Sequence, residues 1–228
     1  MRVTIPAICA TILLAAPALA QNAGIGGPAN PPVAGVVQSF DGKTLSIKTA
    51  DGAVIAASLA PDARITLSVK KTVADIKPGD FIASGGTRGP DGKIHANEIR
   101  IFSAPGGEGQ FPMSAPGQVM TNATVKEIMT DATVKQVGSA GGTPTIKLSF
   151  HGAGAPGAAN CTGRSSDAPG GAGKGCTGDT EFDVPANTPV VAQLPGDVSM
   201  LKVGAKASMN VTKAGDGSST ASRVTISQ

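Results

Sequence analysis

The side chains with the most distinctive chemistry in this 228-residue chain are two histidines and a late pair of cysteines. His95 and His151 are the only histidines. Each is a weak candidate metal ligand, because neutral imidazole is the commonest ligand nitrogen in proteins. The plainer reading is that each is a surface residue on a strand. Neither has an evident acidic orienter, so neither reads as a general base. Cys161 and Cys176 are separated by fourteen residues. That spacing is not the C-x-x-C of a redox pair, and no histidine lies at ordinary zinc-site spacing from either. The pair reads as a structural disulfide closing a loop, which stabilises by about 3 kcal/mol on the chain-entropy estimate.

The other reactive residue types are scattered. Asp41, Asp51, Asp91 and Asp216 each precede a glycine. Aspartate there is turn chemistry, since its carboxylate bonds the local backbone and the glycine accepts a left-handed conformation. Asp75 and Asp80 flank Lys77-Pro78-Gly79, but the matching later positions are Met200 and Ala205. There is no G-x-S-x-G elbow. Gly24-Ile25-Gly26-Gly27 does not follow a strand, so it is not a phosphate loop. The methionines do not cluster as copper ligands. With no catalytic set in view, the chain is expected to be a non-enzyme without a cofactor.

Composition narrows the partners. The formal charge is +3, too mild to imply nucleic acid. Trp and Tyr are absent and Phe occurs six times, so stacking surfaces for bases or sugars are scarce. Gly 31 and Pro 17 favour turns and loops over long helices. Met1-Arg2, the apolar run Ile5–Pro17 and Ala18-Leu19-Ala20 read as a cleaved secretory signal over residues 1–20. Cleavage near Ala20-Gln21 removes Cys9 and leaves Cys161 and Cys176 in an oxidising compartment. A periplasmic or secreted protein with no later membrane span is expected.

The elements that carry these residues repeat. Residues 58–102 align without a gap on 183–227. Ile76-Lys77-Pro78-Gly79 falls on Leu201-Lys202-Val203-Gly204, Asp91-Gly92 on Asp216-Gly217, Ala96 on Ala221 and Ile101 on Ile226. Alternating apolar residues between D-G turns mark short half-buried strands. Pro61-Asp62 is expected to break one of them. A nonapeptide is also doubled in tandem, Met120–Ile128 followed by Met129–Val137. Only one copy can fill the first-strand position of the second unit. Residues 153–179, rich in Gly and Ala, interrupt a hairpin that is a two-residue turn in the first unit. They are expected to form a mobile loop pinned by the disulfide.

The run Val36-Val37, Leu45-Ser46-Ile47, Ala74–Asp80 and Asp91-Gly92 resembles the exported bacterial domain of unknown function called DUF5666. Met120–Val125, Val184-Pro185, Thr188–Val191, Pro195–Asp197 and Leu201–Gly204 resemble the second half of two-copy members. The likeness covers most of residues 33–228, apart from the cysteine loop and the nonapeptide duplication. It implies a small β-rich fold and brings no catalytic residues with it.

The expected architecture is all-β: two tandem small β-barrels, OB-like or split-barrel, formed by the internal repeat. A flexible lead covers 21–32, the first barrel 33–103, a Pro/Gly linker 104–119, and the second barrel 120–228 with the inserted loop 153–179. The expected function is a non-enzymatic periplasmic binding or accessory module with an unknown ligand. A metal-handling protein or an envelope structural protein are the alternatives, and an envelope protein or a small ligand is the expected partner.

Overall fold

The computed structural model describes residues 31–129, 143–168, 170–171 and 173–228. The signal segment, most of the lead, and the second nonapeptide copy beyond Met129 lie outside them. The described chain is all-β, with three single 3-10 turns at Val73–Asp75, Ser165–Asp167 and Val198–Met200. Among the described residues, no helix is long and apolar enough to cross a membrane.

Strands β1 (Val33–Phe40), β2 (Thr44–Thr49) and β3 (Val54–Lys71) form a meander joined by D-G turns. Next come β4 (Phe81–Arg88), β5 (Ile94–Phe102), β6 (Gly109–Pro112) and β7 (Gln118–Met129). The second half adds β8 (Thr145–His151), β9 (Gly163–Arg164), β10 (Thr177–Asp183), β11 (Val190–Pro195), β12 (Lys206–Lys213) and β13 (Ser219–Ser227).

The turns obey the expected aspartate chemistry. Asp41 accepts from the backbone N–H groups of Lys43 and Thr44, Asp91 from that of Lys93, and Asp216 from that of Ser218. Hydrogen bonds from Thr44 and Lys43 hold the Asp41 carboxyl below its ordinary range, and those from Ser218 do the same for Asp216. Gly92 and Gly217 follow at φ +79° and +83°, where a Cβ would be strained.

Pairing does not follow chain order. Strand β13 pairs with β12, β12 with β1, β1 with β2, β2 with β3, and β3 closes the ring in parallel with β13. This five-stranded barrel therefore takes three strands from the first half and two from the second. The partition expected from sequence, one barrel within 33–103 and the next within 120–228, does not describe it. Strands β4 and β5 instead leave the first half. They pair with each other, β4 pairs with β7, and β5 lies parallel to β10 and β11. With β7–β8 and β8–β10 this makes a second ring of pairings, closed at β5–β10 by two register pairs, Ile94–Phe182 and His95–Asp183.

The registers of the two rings match at a spacing of 125 residues, the separation of Ser68 and Gln193. Ile65 pairs with Val224 and Leu67 with Ile226, while their counterparts Val190 and Ala192 pair with Ile99 and Ile101. Thr220 sits opposite Ser58 as His95 sits opposite Asp183. Phe81 pairs with Thr124 as Lys206 pairs with Val36, so the first nonapeptide copy occupies the first-strand position. Strand β3 runs antiparallel to β11, and in that ladder Ser68 pairs with its own counterpart, Gln193. The Gln193 amide donates to the Ser68 hydroxyl at 3.4 Å. A local pseudo-dyad passes through that pair.

Each ring encloses its own core. Leu45, Ile47 and Val37 pack with Met209, Val224 and Ile226 in one; Ile82, Ile94 and Ile99 pack with Leu148, Phe150 and Phe182 in the other. Ile76 and Leu201 cap the two cores from equivalent positions, and both are buried. Pro61-Asp62 does not end its strand. Strand β3 continues for 18 residues, and the register with β13 slips between Leu59 and Arg64. Proline lacks the N–H a ladder needs, and a bulge removes the need for it.

The cysteine insertion is not a loose loop. Cys161 and Cys176 are bonded, with Cα atoms 5.4 Å apart. Cys176 is buried, and Cys161 packs against the second core. Gly152 donates to Cys176 and Ala153 to Thr162, and β9 pairs with β6. A Cβ on Gly175 would lie 1.7 Å from the Gly152 carbonyl oxygen, so small residues are what let the segment fold tightly onto itself. The ordering entropy is offset by the bridge and by these bonds, a contribution that composition alone conceals.

Candidate functional site

Strands β4 and β5 are joined by the turn Gly89–Lys93, which delivers Asp91 beside the start of β5. His95 follows on β5, with its Nε2 3.4 Å from Asp91 Oδ1. The parallel pairing of β5 with β10 sets Asp183 directly beside His95. Ligand atoms of Asp91, His95 and Asp183 lie within 4.8 Å of one another. Asp183 is 8% exposed, and its orientation is fixed: the Thr145 hydroxyl donates to Oδ1 at 2.9 Å, and Lys93 Nζ lies 3.2 Å from Oδ2. A cavity of about 230 Å³, lined by Arg88, Lys93 and Thr180 among others, opens beside Asp183. The Lys93 backbone N–H holds the Asp91 carboxyl below its ordinary range; desolvation opposes it, and His95 adds a lesser lowering.

His151 lies elsewhere. It ends β8 opposite Thr177, while His95 is tied to β10 at Asp183, the far end of that strand. The two histidines are thus not brought together. The Glu108 carboxylate accepts from the His151 backbone N–H at 2.8 Å and lies 2.6 Å from its Nδ1. Both histidines therefore have an acidic orienter, contrary to the sequence expectation. Asp91 was legible only as a turn residue. Glu108 sits in a linker and Asp183 eighty-eight positions beyond His95, so no local spacing flags either.

A second concave feature lies where the two rings meet. A cleft of about 950 Å³ is lined by β3, β5, β11, β12 and β13. Arg64 and Arg223 are register partners across β3 and β13 at its edge. Neither takes part in an ion pair among the described residues, whereas Arg100, further along the cleft, is bound to Glu98 at 2.7 Å. Asn210 and Asp62 complete the polar pocket beside the two arginines.

No family model, curated protein or solved structure matches this chain.

Proposed function

We propose that the protein is an exported, non-enzymatic binding module of the bacterial periplasm, and that its ligand lies in the cleft between the rings and carries anionic groups. The observation that carries this reading is the Arg64–Arg223 pair. Like charges set side by side on neighbouring strands are destabilising. A carboxylate, sulfate or phosphate bridging two guanidinium groups turns that cost into two charge-assisted, bidentate contacts. The Cys161–Cys176 bridge, with Cys176 buried, supports an oxidising compartment. On this reading the two rings are twin barrels from one duplicated unit related to DUF5666, and exchange of their last two strands creates the cleft.

The test is a calorimetric titration of the protein with a sulfated oligosaccharide, a poly-aspartate peptide and tripolyphosphate at low salt. Binding of at least one, weakened about tenfold or more by Arg64→Glu with Arg223→Glu, is expected from the loss of charged hydrogen bonds. Absence of heat with all three probes, or affinity indifferent to both substitutions, would overturn the proposal.

A further inference from the structure

We infer that Asp91, His95 and Asp183 form a binding site for a divalent transition-metal ion of the zinc or cobalt class, at the seam where the β4–β5 hairpin meets β10. One imidazole nitrogen and two carboxylate oxygens are a three-ligand set that leaves a fourth position for water or a ligand atom. Ligands bound at about 2.0–2.2 Å around a tetrahedral ion stand roughly 3.3 Å apart. His95 Nε2 and Asp91 Oδ1 already do, at 3.4 Å. Asp183 completes the set within 4.8 Å, a gap to be closed by the more exposed Asp91 and His95 side chains turning toward the fixed carboxylate.

Three further observations point the same way. The first is space. A Cβ on residue 89 would lie 2.6 Å from Asp91 Oδ1 and 2.7 Å from His95 Nε2, so only glycine there leaves room for these two donors to stand side by side. The second is orientation. Asp183 is buried and held by the Thr145 hydroxyl, the kind of outer contact that fixes a ligating carboxylate. The third is an internal control. The other ring repeats this backbone, with Asp216 in the same turn and Thr220 opposite Ser58. The turn aspartate is thus the scaffold's own, while His95 and Asp183 are additions confined to one ring.

Lys93 decides how the site behaves when metal-free. Its ammonium lies 3.2 Å from Asp183 Oδ2 and supplies the cation that the two carboxylates require. Its side chain is 62% exposed, so it can swing into water when a dication arrives. If the cluster were a structural ion pair, removing Lys93 would only weaken the fold. If it is a metal site, removing Lys93 removes a competitor.

The experiment titrates the full chain with Zn²⁺ by calorimetry and with Co²⁺ by visible absorption. One equivalent should bind, with tetrahedral cobalt bands. Affinity should rise in Lys93→Met, fall about tenfold in Thr145→Val, and be lost in His95→Ala. His95 is partly exposed, so that variant should fold. His151→Ala, and the arginine variants of the cleft, should bind metal as the parent does. Absence of stoichiometric binding by the parent, equal affinity in His95→Ala, or loss of binding in His151→Ala would each overturn the site. Failure in the cleft titrations leaves this result untouched.

Discussion

Replacing Phe182 with alanine is expected to destabilise the protein by about 3–5 kcal/mol, the range for truncating a buried aromatic side chain. The loss should reach both cores. Phe182 is 1% exposed, on β10, where that strand meets β5. It packs so closely on Ile94 and the Gly86 backbone that a Cβ on Gly86 would stand 2.5 Å from its ring. Strand β5 also pairs with β11, which pairs with β3, a wall of the first barrel. Loosening β5 therefore frays an element shared by both halves. Chemical denaturation followed by methyl resonances should give one transition. Leu45 and Ile47 should report the same lowered midpoint as Ile99 and Leu148. A midpoint shift seen by Ile99 and Leu148 alone would mean that the rings unfold independently.

Cys161→Ser, or reduction, is expected to cost about 3 kcal/mol and to act at one end of the second core. The bridge lies over Phe150: a Cβ on Gly178 would stand 2.6 Å from that ring and 3.1 Å from Cys161 Cβ. Opening it frees the 152–176 segment, unpairs β9 from β6 and uncovers Phe150. Deuterium exchange should accelerate through residues 152–176 and at Gly109 and Gln110, while β1, β2 and β12 keep their protection. Unchanged exchange in the segment would show that its backbone bonds suffice without the bridge.

Local features of this fold were legible in the sequence, and long-range ones were not. The D-G turns and the cysteine pair are signals of a few residues and stand where the pattern places them, whereas the alternating segments on either side of Pro61-Asp62 form one continuous strand. Ile76 and Leu201, which fall together when 58–102 is aligned on 183–227, are both buried, one in each core. The repeat does not say which copy's strands close which ring. A β4–β5 hairpin satisfies the same hydrogen bonds and buries the same apolar face against β1–β3 or against β7–β10. The candidate site was half visible for the same reason. His95 stood out as one of two histidines, but its partner Asp183 reaches it only through the exchanged pairing, and nothing local announces that. The cysteine segment has the composition of a linker, while its glycines serve close packing around the bridge.

The cleft and the candidate metal site both depend on the pairing of strands from one half of the chain with strands from the other. Residues 103–107 join the two halves on the surface and are exposed, so a protease site inserted between Gly106 and Gly107 allows the folded chain to be cut there. The two fragments should stay together through gel filtration in native buffer and part only in denaturant, since each contributes strands to both rings. Fragments that separate in native buffer, each folded and monomeric, would contradict the exchange.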